Sequence, residues 1–98
     1  MDELVWSPRS LKDLELIYDY IKEDSIEAAR TFVNELIMET TTISNFPHKG
    51  RKVPEFMNEK VREKIYKSYR IIYRIQTDHI EIVTFLHQSR RLIKQEFK

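Results

Sequence analysis

The side chains best able to do chemistry in this sequence are arginines and one histidine, and they gather in its last third. From Tyr69 to Gln76 the residue types alternate with a period of two: Tyr69, Ile71, Tyr73 and Ile75 point one way, and Arg70, Ile72, Arg74 and Gln76 the other. His87, Arg90 and Arg91 end the next apolar run, and Arg51 and Arg62 lie upstream. A guanidinium is planar, permanently charged and carries five donors in a fixed fork, so it suits phosphate or carboxylate better than an ammonium does. A histidine, with an unperturbed pKa of about 6.5, moves a proton near neutrality. One reading is a rigid scaffold that presents cations to an anionic partner. The plainer reading is that Arg62, Arg70 and Arg74 solubilise an open sheet face while His87 bonds nearby backbone at a strand end.

Composition removes several other chemistries. There is no cysteine, so neither a disulfide framework nor a thiolate metal site can form. His48, His79 and His87 are scattered, and no metal site is expected. Gly50 is the only glycine, which excludes a Gly-rich phosphate loop, and no cofactor is expected. Ninety-eight residues make one domain, spanning 1–98, and 34% charged with 41% hydrophobic residues is a soluble globular composition. The opening Met-Asp-Glu-Leu-Val-Trp has no basic or apolar leader, and no apolar run reaches membrane-spanning length, so a cytoplasmic location without membrane contact is expected. The net charge of +1 hides a polarity: residues 1–48 hold four Lys/Arg against ten Asp/Glu, and residues 49–98 hold thirteen against six. That asymmetry points either to an anionic partner for the second half or to attraction between the halves during folding.

The elements that must position these groups follow from periodicity. Leu4 to Trp6 is a short first strand. Ser7 caps a helix, and Pro8 fits its first position, where a missing N–H costs nothing. Leu11, Leu14, Ile17, Tyr18 and Ile21 recur at helical spacing. Ser25 caps a second helix through Ala29, Phe32, Val33, Leu36, Ile37 and Ile43, which ends near Asn45 because Pro47 follows. Residues 48–55 read as a loop, 60–67, 69–76 and 80–87 as strands, and 90–98 as a basic tail of one or two helical turns. Lys67-Ser68 is a tight turn, although it lacks the usual Asn-Gly. Ile82-Val-Thr-Phe-Leu86 is apolar on nearly both faces, as a central strand should be. The fold class expected is α+β, in the order β-α-α-β-β-β, with a helical hairpin packed on one face of a mostly antiparallel four-stranded sheet.

Taken together, the motifs resemble the RelE/ParE family of bacterial toxins, the poisons of type II toxin–antitoxin, or plasmid-stabilisation, pairs. The resemblance spans nearly the whole chain. It runs through Trp6-Ser-Pro-Arg-Ser-Leu-Lys-Asp-Leu14, Ile17-Tyr-Asp-Tyr-Ile21, and Ala28, Ala29 and Phe32. It continues in Phe46-Pro-His-Lys-Gly-Arg-Lys-Val-Pro-Glu55, Val61-Arg-Glu63, Tyr69-Arg-Ile-Ile-Tyr-Arg-Ile75 and Leu86-His-Gln-Ser-Arg-Arg91. Gly50-Arg51 and Val53-Pro-Glu55 are closer to the ParE branch than to the RelE branch.

The resemblance implies a cognate antitoxin that wraps the toxin, with operator DNA met only indirectly through it. For a ParE-like member it implies growth arrest by binding DNA gyrase, without a catalytic centre. The cationic groups offered to such a target are Arg51, Arg62, Arg70, Arg74, Arg90 and Arg91. For a RelE-like member it implies metal-independent cleavage of mRNA on the ribosome, in which Arg70 and Arg90 would stabilise phosphate and His87 would move a proton. The tail Leu92-Ile-Lys-Gln-Glu-Phe97 lacks the late tyrosine usual in that branch. A third reading is a detoxified member that serves only antitoxin binding and operon repression. The acidic helical hairpin would take the antitoxin through Leu11, Leu14 and Tyr18.

Overall fold

The computed structural model describes residues 3–93. Both helices start where their serines direct. At α1 (Pro8–Lys22) the Ser7 Oγ accepts from Ser10 N at 2.9 Å, with Pro8 in the first turn. At α2 (Ile26–Asn45) the Ser25 Oγ accepts from Ala28 N at 3.0 Å. Each bond satisfies one of the orphan amides of a helix start. Beyond Asn45, Pro47 opens a single 3-10 turn, Pro47–Lys49, which ends α2.

The sheet contains β1 (Glu3–Trp6), β2 (Arg51–Lys52), β3 (Val61–Tyr66), β4 (Tyr69–Ile75) and β5 (His79–His87), in the spatial order β1-β5-β4-β3-β2. β1 lies parallel to β5, and the other neighbours are antiparallel. The sheet therefore has five strands where four are expected. The extra one is Arg51–Lys52, inside the segment read as a loop, and it pairs with Glu63 and Arg62. Two residues are too short a run to carry any period, so only the pairing partner reveals them. The β3–β4 hairpin does turn at Lys67-Ser68, with Lys67 held at φ 53 where glycine or asparagine is usual. Its tip is tied to α2 by Glu35, which accepts from the Tyr66 hydroxyl at 2.8 Å and from Lys67 Nζ at 3.0 Å.

Two cores form, one on each side of the sheet. Under the helices, Leu14, Ile17, Leu36 and Ile43 meet Ile71, Tyr73, Ile80, Ile82 and Phe85. On the opposite side Val61, Ile72, Val83 and Leu86 are covered by Val53, Phe56 and Leu92. The expectation of an open outer face is thus corrected: residues from the 50s segment and from the chain's last described turn lie across it. Residues 91–93 are not helical, and the remainder of the expected tail helix lies outside the described residues.

A bulge explains how both cores draw on β5. Ile72 pairs with Thr84 and Tyr73 with Ile82, so Val83 is an extra residue without a partner on β4. It breaks the simple alternation that would align Val83 with Phe85, and it sends Val83 to the outer core while Ile82 and Phe85 serve the inner one.

The bulge lies just past the last β1–β5 pair, Trp6 with Ile82, where β5 would show a bare edge. The start of α1 closes it. Ser7 N donates to Ile82 O at 3.0 Å, and Ser7 Oγ donates to Val83 O at 2.7 Å. Asp13, 8% exposed, accepts from Phe85 N at 3.0 Å and from the Thr84 hydroxyl, and Arg9 Nε lies 3.2 Å from its other oxygen. Asp13→Ala leaves a buried amide and a buried hydroxyl unsatisfied, at roughly 1–3 kcal/mol each. A loss of about 2–4 kcal/mol in urea unfolding is expected at an unchanged m-value. A loss below about 1 kcal/mol would mean that water reaches this edge.

Candidate functional site

Strand alternation sets Arg70 beside Ile72 on the outer face, but the side chain does not reach into solvent. It is 6% exposed and held by two carboxylates. Its Nε donates to Glu63 Oε1 at 2.7 Å, while Nη1 and Nη2 donate to the two oxygens of Glu55 at 2.8 Å each. Nη1 also donates to the Arg90 carbonyl at 3.1 Å. Glu55 in turn accepts from Leu92 N at 2.8 Å, and the second oxygen of Glu63 accepts from Arg51 Nε. A bidentate fork of this kind is the strong form of an ion pair. The Arg70 hydrogen bonds hold the Glu55 carboxyl down at about 2, and Glu55 foremost, with Glu63, raises the guanidinium above its ordinary value. Among the described residues no buried side-chain polar atom lacks a partner.

Gly50 lets the segment of residues 50–57 that crosses the outer sheet face, the strap, sit this close. A Cβ at that position would lie 2.1 Å from the Tyr73 hydroxyl oxygen and 2.8 Å from the Glu63 carbonyl oxygen. The Tyr73 hydroxyl is already committed, donating to Pro47 O at 2.6 Å. The backbone at Gly50 is ordinary, with φ −67, so glycine is needed there for contact and not for conformation.

Of the cations singled out in the sequence, the fold brings Arg51, Arg70 and Arg91 together around a shallow cleft of about 320 Å³, with Glu55, Ile65 and Gln88. Arg70 lies in its lining with its donors turned to the carboxylates, while Arg51 and Arg91 are exposed. Arg62 and Arg74 do not join them. Arg62 is bound to carbonyls of Glu59, His48 and Gly50. Arg74 forks onto Glu81 at 2.8 and 3.0 Å. The outward rank of guanidiniums expected on one sheet face is therefore corrected: Arg70 is internal, and Arg62 and Arg74 are bound elsewhere.

His87 is exposed at the end of β5, edge-on to the Tyr69 ring at 5.3 Å. Its Nδ1 lies 2.8 Å from Ser89 Oγ and 3.1 Å from Ser89 N. Arg90 is exposed, and its amide donates to the His87 carbonyl at 2.9 Å in the turn that follows. On the hairpin Leu11 is 55% exposed and Tyr18 half-buried, but Leu14 belongs to the inner core, which corrects its place on a docking surface.

Sequence reasoning missed Glu55 and Glu63, the residues that decide what Arg70 can do. For Glu63 a signal existed: it shares strand parity with Val61 and Ile65, so a carboxylate falls on an apolar stripe. Glu55 gave none, because its role depends on where a loop lands.

Comparison with known proteins agrees with this architecture. A family model described as the ParE toxin of the type II toxin–antitoxin system parDE matches residues 4–92. Toxin RelE2 of Caulobacter vibrioides is 30% identical over 90 residues, covering 92% of this chain and 99% of that protein. A solved chain from the chromosomal ParDE toxin–antitoxin system of P. aeruginosa superposes with a TM-score of 0.76 at 21% identity, covering 89% of this chain and 96% of that one, and it shares the fold.

Two outcomes follow from the ion cluster. Arg70→Ala strands two carboxylates and costs about 3–5 kcal/mol, and Arg70→Lys does not restore it because one ammonium cannot fork across both acids. Glu55 has a folded-state pKa below its unfolded value of 4.5, so its contribution is complete above that value and is lost as pH falls toward about 2. The stability gap between the native chain and Glu55→Gln, measured by urea unfolding, should be widest above about pH 5 and shrink steadily below it. A gap independent of pH would rule out the Arg70–Glu55 pair as its source.

Proposed function

The chain belongs to the ParE toxin family of type II toxin–antitoxin systems, and on that footing we propose that it arrests growth by binding DNA gyrase and is silenced by a cognate antitoxin. The observation that carries the choice of a binding poison is the state of Arg70. All three of its nitrogens donate to Glu55, Glu63 or the Arg90 carbonyl. A phosphate approaching it must displace a bidentate carboxylate, so it is a poor stabiliser of charge building on phosphorus. A binding toxin needs only a rigid surface of the right charge, and Arg51 and Arg91 at the cleft supply exposed cations on an anchored frame. Arg90, on the same turn as Arg91, extends that surface.

The mRNA-cleaving alternative would rely on His87 and Arg90, since Arg70 is engaged. The antitoxin reading retains Leu11 and Tyr18 as the accessible part of the helical hairpin. No helix among the described residues is long and apolar enough to cross a membrane, and both targets would be met in the cytoplasm.

Purified protein should inhibit supercoiling by gyrase and leave ribosome-bound mRNA uncut. Arg91→Glu should weaken inhibition at least about tenfold, the size of a lost 1.4 kcal/mol of contact, with an unchanged thermal midpoint. Translation-dependent transcript cleavage that is abolished by His87→Ala would replace this reading with the nuclease one. Harmless induced expression would leave only an antitoxin-binding role.

A further inference from the structure

Opposite the edge where Arg51 lies, the sheet ends in β1, which has β5 on one side and no strand on the other. In a strand each residue turns its amide and carbonyl to one side, and successive residues alternate sides. Ser7 N donates to Ile82 O at 3.0 Å, so alternation turns the main-chain groups of Val5 and Glu3 toward β5 as well. Those of Leu4 and Trp6 therefore face outward, and neither residue has a backbone partner on that side among the described residues.

The side chains here are not those that keep strands apart. Natural edges are guarded by lysine, proline or a bulge, and Glu3-Leu-Val-Trp6 has neither residue and pairs with β5 in unbroken register. Val5 is 40% exposed on the outer face, while Leu4 and Trp6 are half-buried on the inner one. Trp6 is fixed in place by stacking on Phe85 at 5.9 Å.

Register and charge select the occupant. Laid antiparallel to itself about Val5, the strand sets Leu4 against Trp6 of a second copy, and Trp6 against its Leu4. These are the residues whose main-chain groups face outward, so each pair exchanges two hydrogen bonds and every outward group of Leu4 and Trp6 is used. Centred on Trp6 instead, the same strand would meet Pro8, which has no amide to give. In the Val5-centred register Glu3 stands opposite Ser7 of the second copy, two residues from its Arg9, so opposite charges meet at both ends.

We propose that β1 is a self-association edge, through which two copies of this chain join their sheets antiparallel about Val5. The inner face then carries Leu4 and Trp6 of both copies side by side, and on the outer face the two Val5 side chains touch. A four-residue strand pair covers less than the roughly 1,200 Å² of a stable specific interface, so the association is reversible and grows with concentration. The cationic cleft lies toward the other edge of the sheet and stays open in the dimer. The proposal does not depend on what the toxin poisons.

The chain has no cysteine, so Val5→Cys supplies a single thiol. In an antiparallel pair that shares no hydrogen bonds the opposed Cα atoms lie about 4.5 Å apart, within the roughly 4.4–6.8 Å that a disulfide spans. In a glutathione redox buffer Val5→Cys should form the covalent dimer at least about tenfold faster than Met38→Cys, because pairing raises the local thiol concentration. Met38, 69% exposed on α2, serves as the collision control. In the full 15N-labelled chain, hydrogen exchange at Leu4 and Trp6 should slow several-fold between micromolar and millimolar protein. Val5→Lys should abolish that slowing without changing the thermal midpoint of the dilute chain. Four results would overturn the idea: exchange at Leu4 and Trp6 independent of concentration, slowing that persists in Val5→Lys, cross-linking of Val5→Cys no faster than of Met38→Cys, or equal slowing in the dilute chain on adding an unrelated strand-forming peptide, which would assign the edge to a foreign segment.

Discussion

The structure depends on one guanidinium held between two carboxylates. Arg70 on β4 joins Glu63 on β3, Glu55 on the strap, and the backbone of the last described turn through Arg90 and Leu92. Four stretches of chain meet at one planar cation. Without it the strap would have Val53 and Phe56 to hold it, and the terminal turn would have Leu92. Those contacts are apolar and carry no register. Withdrawing charges from water is costly, so a buried ion cluster is weak evidence of net stability, although removing one partner strands the others. Here the fork geometry fixes which way Glu55 faces, and thereby where the strap crosses the sheet.

That constraint accounts for the second core. Sheets with helices on one side commonly leave the other to solvent, yet Ile72, Val83 and Leu86 are buried on the far side. A loop can bury such residues only if its own polar groups are satisfied. The strap meets this requirement with Val53 N on Val61 O, Phe56 N and Met57 N on Val53 O, and Gly50 close against Tyr73. The segment from Gly50 to Glu55 that carries the likeness to the ParE branch is therefore mostly architectural: a close contact, an ion pair, a core valine and a clamp.

Chemistry and architecture divide the arginines accordingly. Arg70, Arg62 and Arg74 are consumed by Glu55 and Glu63, by loop carbonyls and by Glu81 respectively. Arg51 is intermediate, bonded to Glu63 through Nε yet with most of its side chain in solvent. The charge polarity of the sequence has a matching double use. Glu35 and Glu39 on α2 hold Lys67 and Lys64 of the β3–β4 hairpin, so part of the attraction between the halves serves folding.

By itself the sequence determined the elements and their order. The serine caps, Pro8 and Pro47 set the helix limits, and period-two alternation from Tyr69 to Ile75 set which face of β4 meets the helices, because these signals act within a few residues of chain. Local signals also separated the acidic helical half from the basic strand-rich half. Only the tertiary structure decided that Arg70 is internal, that Leu14 is core, that Val83 is a bulge and that Arg51–Lys52 is a strand. Each of these depends on a partner distant in the chain: Glu55 for Arg70, the sheet for Leu14, β4 for Val83, β3 for Arg51. Charge and periodicity state what a side chain can do; whether a carboxylate from elsewhere arrives to claim it is settled by packing alone.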